Sequence, residues 1–130
     1  MAGAFSVEWL PGSVLLQRRT GRLSVEEAQQ YVDAVKRAAE SPPTPAWGCV
    51  VDTRDTPPQT EDVQRIIGEL IKFVVAHGVV RVAMVSNGVV TDMQQRRVTT
   101  SPGMHDPSTV AFYADLDEAV ADVRKALPGH

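Results

Sequence analysis

Short apolar runs bounded by turn residues alternate along this chain with longer stretches whose apolar positions recur at helical spacing. Residues 5–10 read as a short strand. Pro11-Gly12 is a turn signal, and residues 13–18 pair back as the second arm of a hairpin. Gly21 breaks the chain. Ser24 with Glu27 three residues later is a capping box. Val25, Ala28, Val32, Val35 and Ala39 then form one apolar stripe, bordered by Tyr31 and Ala38. Ser41-Pro42-Pro43-Thr44-Pro45 ends this helix, because proline lacks the amide hydrogen and restricts the residue before it.

The central run is Trp47-Gly48-Cys49-Val50-Val51, which meets an acid at Asp52 and is closed off by Pro57-Pro58. It reads as a buried parallel strand. Thr60 is an N-cap, with Glu61 and Asp62 placed where the helix dipole favours acids. The second helix turns Val63, Ile66, Ile67, Leu70, Ile71 and Val74 to the core and stops at Gly78, after Lys72 and His77. Gly68 inside it costs about 1 kcal/mol against alanine, and close packing on the sheet is the expected reason. Residues 79–85 form the next strand. Val80, Val82 and Met84 share one face; Val79, Arg81, Ala83 and Val85 share the other, which reads as the less covered side. Ser86-Asn87-Gly88 is a turn, residues 89–97 a short helix with Thr91 and Gln94 as its capping pair, and residues 98–108 a loop. Residues 109–113 are the last strand. Asp115 and Glu118 cap the last helix, with Leu116, Ala119, Val120, Val123 and Leu127 inward and Pro128-Gly129 beyond.

The order β-β-α-β-α-β-α-β-α predicts an α/β fold with a mixed, mostly parallel sheet, right-handed crossovers and one antiparallel strand from the N-terminal hairpin. With 130 residues, no internal repeat and no linker, residues 1–130 are expected to be one domain.

Composition narrows the function without fixing it. Hydrophobic residues make up 43% and charged residues 22%, as in an ordinary globular protein. The net charge of −3 lacks the basic field of a general nucleic-acid binder. The dense basic pairs, Arg18-Arg19 and Arg96-Arg97, read as solvated surface. No stretch approaches a membrane span and the N-terminus has no signal-peptide pattern, so a cytoplasmic protein is expected. The single cysteine, Cys49, suits a reducing compartment and reads as a small core hydrophobe.

Candidate chemistry is sparse. His77, His105 and His130 have no metal-ligand spacing; His105-Asp106 is the best local pair and reads as a solvated turn. There is no nucleophile elbow, P-loop or dinucleotide fingerprint, so no cofactor is expected. Asp52 and Asp55 flank Arg54 at the end of the central strand, where open α/β sheets place ligands. They are candidates for acid–base work. The simpler reading is an aspartate bonding loop amides beside a paired arginine. Thr53, Thr56 and Thr60 surround the start of the second helix, where a phosphate meets the positive dipole end. The simpler reading of Thr60 is a cap.

Several motifs together resemble bacterial SpoIIAA-like proteins, the STAS/SEC14-like group related to anti-sigma factor antagonists. They are Trp9; Val14-Leu15-Leu16, Gly21 and Leu23-Ser24-Val25-Glu26-Glu27; Cys49-Val50-Val51-Asp52-Thr53-Arg54; Val80-Arg81-Val82-Ala83-Met84-Val85; and Val110-Ala111-Phe112, Asp115 and Asp117-Glu118-Ala119. The resemblance implies helices that largely cover one side of the sheet. It also implies non-enzymatic work in protein interaction, sometimes with dimerisation or with a small apolar or nucleotide ligand. In regulated members a Ser or Thr at the start of the second helix is phosphorylated. This chain has Asp55-Thr56-Pro57-Pro58-Gln59-Thr60 in place of an Asp-Ser-Ser-Gly pattern, which leaves Thr60, and after it Thr56, as the matching positions.

The leading expectation is therefore a regulatory interaction module that binds a partner protein or itself. Its surface is expected to combine Asp52, Arg54, Asp55, Thr56 and Thr60 with Ser86, Asn87, Arg96 and Arg97. A carrier of a small lipid or nucleotide is the alternative, and a hydrolase or lyase using Asp52 and Asp55 the third reading.

Overall fold

A computed structural model describes residues 3–86, 93 and 109–128. Five strands, β1 (Ala4–Leu10), β2 (Val14–Thr20), β3 (Trp47–Asp55), β4 (Val79–Val85) and β5 (Val110–Tyr113), form one sheet in the order β1-β2-β3-β4-β5. β1 is antiparallel to β2, and every other neighbouring pair is parallel. The helices described are α1 (Val25–Glu40), α2 (Glu61–Ala76) and α3 (Leu116–Ala126). The mixed, mostly parallel α/β fold is borne out. The predicted helix 89–97 and loop 98–108 lie outside the described residues, apart from Met93, which is exposed.

The sheet grows in one direction, so the right-handed crossovers through α1 and α2 must pass over the same face. There they bury Leu15, Cys49, Val51, Val82 and Met84 under Tyr31, Val32 and Val35 of α1 and Val63, Ile67, Leu70 and Val74 of α2. Fully burying each large aliphatic side chain stabilises the fold by about 1.5–3 kcal/mol. From β1, Phe5 meets Tyr31 edge-on and Trp9 meets Trp47 edge-on, both at 5.6 Å. The Trp47 indole donates to the carbonyl of His77 at 3.0 Å, which ties the start of β3 to the end of α2.

α3 is not a crossover, and it packs on the opposite face. Ala119, Val123 and Leu127 cover Val14, Leu16, Val50, Ala83 and Val85. This corrects two expectations: the helices do not gather on one side, and Ala83 and Val85 of β4, read as lying on the less covered side, are fully buried. α3 comes close because β3 offers it a glycine. A Cβ on Gly48 would lie 2.3 Å from Val123 Cγ1. Arg81 joins α3 through Asp122, its Nε 3.1 Å from Oδ2.

Two irregularities break simple alternation. Between Trp47/Val79 and Cys49/Val82, β4 spends three residues against two of β3. That bulge returns Val79 to the face of Val82, while Val80 is exposed. The capping box at Ser24 and Glu27 and the N-caps at Thr60 and Asp115 are present as expected. Val25, placed in the apolar stripe by its spacing, is instead exposed, and Tyr31 belongs to the core. α1 meets the sheet through Ala28, Tyr31, Val32 and Val35, and the first turn lies beyond that contact.

Candidate functional site

β3 does not stop at its acid. It runs on to Asp55, because Arg18 and Thr20 of β2 continue to pair with it. Here β3 carries the extra residue, with Asp52 to Asp55 set against Arg18 to Thr20. The second bulge therefore sits at the carboxyl end of the sheet, where the predicted edge begins.

On the α3 side, Asp52 is buried apart from a tenth of its side chain. It accepts a two-pronged contact from Arg54, Nε to Oδ1 and Nη2 to Oδ2, both at 2.9 Å, and its Oδ1 also accepts from the Arg54 amide at 3.1 Å. Arg18 Nε stands 4.0 Å from Oδ2. Burial alone would raise the Asp52 pKa, but the hydrogen bonds and charges of Arg54, with the charge of Arg18, outweigh it and hold the carboxyl below its ordinary value. The same hydrogen bond and the charges of Asp52, Asp55 and Asp115 hold the Arg54 guanidinium firmly protonated. An aspartate so committed is a positioning group for arginine. It is poorly set up to carry a proton back and forth near neutral pH. Asp55 is exposed at the end of the strand.

The loop after β3 is fastened down. Thr56 is buried and donates its hydroxyl to the Arg19 carbonyl at 2.7 Å. Gln59 accepts from the Leu23 amide at 2.9 Å and donates to the carbonyls of Gly21 and Pro57. The Gly21 amide donates to the Asp55 carbonyl at 3.1 Å. Thr60 is exposed, and its hydroxyl accepts from the Val63 amide at the start of α2. Thr53 donates to the carbonyl of Val85 at 2.8 Å, and the buried Ser86 donates its amide to Tyr113. The ends of β3 and β4 thus lie side by side, as expected. Thr56 and Ser86 are buried, so among the described residues of the expected surface Arg54, Asp55 and Thr60 are the accessible ones. Asn87, Arg96 and Arg97 lie outside the described residues, as do His105 and His130.

Two features escaped the sequence reading. One is a surface groove of about 430 Å³ between the hairpin and α3, floored by Leu10, Leu16, Leu116 and Val120. Arg18 lines it and also faces Asp52, so the groove adjoins the Arg54 cluster. The other lies on the opposite face. Arg19, expected with Arg18 on the solvated surface, is 1% exposed. Strand alternation from Leu15 through Gln17 was the available signal. The Arg19 guanidinium lies over the Tyr31 ring, 5.3 Å from its centroid. Tyr31 donates its hydroxyl to Gln17 Oε1, and the Gln17 amide donates to Cys49 Sγ at 3.3 Å. Burial pushes the Tyr31 hydroxyl up to about 12, against the pull of Arg19. It also pushes the Cys49 thiol up to about 12, against the hydrogen bond from Gln17, which fits a core cysteine rather than a reactive one. Among the described residues no three His, Cys, Asp or Glu side chains gather as metal ligands, and no helix is long and apolar enough to cross a membrane.

The architecture is that of known proteins. An uncharacterised protein of the DUF3478 family with a SpoIIAA-like fold, from Shewanella loihica PV-4, superposes with a TM-score of 0.64 at 18% identity, over 94% of each chain. The anti-sigma factor antagonist SpoIIAA in its unphosphorylated form matches with a TM-score of 0.65 at 16% identity, over 93% of this chain and 98% of that one. An anti-sigma factor antagonist from Mycobacterium paratuberculosis gives 0.65 at 22% identity, over 94% of each chain. No protein-family model matches the chain, and no curated protein matches it significantly by sequence. The chain has a SpoIIAA-like fold, as the motif order implied; at these identities the likeness speaks for the fold.

Proposed function

We propose that this protein is a regulatory interaction module without catalytic activity of its own, binding a partner protein through the edge formed by Arg54, Asp55 and Thr60. The observation that carries this reading is the fixed guanidinium of Arg54. Asp52 holds it in a fork at the carboxyl end of the sheet, and it remains partly exposed. An arginine held in place loses little side-chain freedom when it meets a partner's carboxylate or phosphate. The clamped loop leads from Asp55 to Thr60, the N-cap of α2, and a phosphate added there would meet the positive end of the helix dipole. The fold is shared with proteins described as anti-sigma factor antagonists, which agrees with such a role.

The test is affinity purification from the native cell with mass spectrometry, followed by binding measurements on the partner identified. Arg54→Ala is expected to weaken that partner at least tenfold, and Thr60→Glu to change its affinity, while circular dichroism shows both variants folded. Unaltered affinity in both variants would remove this edge from consideration.

A further inference from the structure

The inner face of the sheet carries a charge that the core does not answer. Arg19 is fully enclosed, and Nε, Nη1 and Nη2 have no hydrogen-bond partner among the described residues. Arg19 lines a cavity of about 10 Å³ between the sheet and α2. Gln17, Tyr31 and Cys49 contribute its polar wall, and the remainder is apolar, including Val51, Leu70 and Met84.

None of the polar neighbours can neutralise the arginine. The Gln17 carbonyl is taken by the Tyr31 hydroxyl, and its amide points to Cys49. Tyr31 and Cys49 are both protonated across the physiological range. The carboxylate of Asp52 faces the other side of the sheet and is paired with Arg54. Burial disfavours the charged form of Arg19, yet a guanidinium does not give up its proton at neutral pH. A buried charge is tolerated when a counter-charge meets it. A water molecule could accept from Arg19 but would leave the charge in place.

The geometry points to this cavity as a binding site for one small monovalent anion, of chloride size, held by the Arg19 guanidinium. The space is that of about one water-sized probe, which excludes phosphate esters and nucleotides. Apolar walls suit a weakly hydrated ion, since they repay little of a lost hydration shell. The Thr56 hydroxyl on the Arg19 carbonyl joins this site to the clamped loop, so occupancy also steadies the segment leading to Thr60. The site stands on the opposite face from Arg54 and can fail without affecting the partner-binding proposal.

The experiment is thermal unfolding of the full chain at constant ionic strength, exchanging gluconate for chloride or bromide. Halide at a hundredfold excess over its dissociation constant should raise Tm by about 5–10 °C. Arg19→Met should abolish the dependence. An equal rise in Arg19→Met, or no rise in the parent protein, overturns the site. A rise with octanoate and none with halide also overturns it, in favour of an amphiphilic carboxylate that parts α2 from the sheet. Should Arg19→Met fail to fold, crystals of the parent protein grown in bromide decide the matter. An anomalous peak within hydrogen-bond distance of the Arg19 guanidinium supports the site, and its absence there overturns it.

Discussion

Arg18 and Arg19 are neighbours on β2, chemically identical, and they meet opposite fates. Arg18 points to the α3 side, half-exposed, with Asp52 4.0 Å away and water at hand. Arg19 points under α1 and α2, with an aromatic ring, an amide and a thiol around it and no carboxylate. A strand reverses its side chains at every residue, so one step along the chain moved a cation from a solvated ion-pair cluster into the core. The two faces use charge differently. On the α3 face opposite charges fix one another and shape a surface. On the other face an uncompensated charge marks a place where something else must be met.

Four substitutions break or sharpen that contrast. The largest effect is expected on the packing of the α3 face: Gly48→Val should destabilise the protein by about 3 kcal/mol, because its side chain runs into Val123. Chemical denaturation measures it, and a neutral result would mean that α3 does not sit so close. Next comes the face with the lone charge. In halide-free buffer Arg19→Met should stabilise the fold by about 2 kcal/mol, since an apolar side chain replaces a desolvated cation. A loss of stability there would show that Arg19 is as well paired as Arg54, and the contrast would collapse.

Removing a charged group on the α3 face should have the opposite effect on stability. Asp52→Asn should cost about 1–2 kcal/mol at pH 7 by weakening the charge-assisted bonds from Arg54. The folded carboxyl titrates below its ordinary value of 3.8, so its stabilisation is complete above that value. It is lost as pH falls through the lowered folded value. Parent and variant should therefore differ by a constant amount at neutral pH and converge in acid; parallel curves down to acid unfolding would contradict the pairing. The smallest effect belongs to Thr60→Ala, expected to cost about 1 kcal/mol through the lost cap, read as a fall of a few degrees in Tm.

The elements were legible in the sequence because their signals are local. Ser24 with Glu27, Thr60, and Asp115 with Glu118 each mark a helix start through bonds that span three residues. The edge at Asp52 was legible as a location, since the acid follows an apolar run. Its geometry was not. The extension of β3 to Asp55 depends on β2 remaining alongside, and the burial of Thr56 depends on the Arg19 carbonyl arriving from 37 residues earlier. The role of Gln59 was not legible because its contacts with Leu23 and Gly21 reach back 36 and 38 residues. These partners of its side chain lie in the β2–α1 connection, and Pro57 of the loop itself is another. Val25 was misplaced for a similar reason: helical spacing defines a stripe, but only the sheet decides where along the helix that stripe is covered.

By itself the sequence determined the order of strands and helices, their caps, and a mixed, mostly parallel sheet with right-handed crossovers, because propensity, capping and handedness act over short distances. Only the tertiary structure decided that α3 closes the other face over Gly48, that bulges reset the alternation of β3 and β4, and that Arg18 and Arg19 part company. Those outcomes depend on which surfaces meet across the sheet, and a charge is surface or core according to what packs above it.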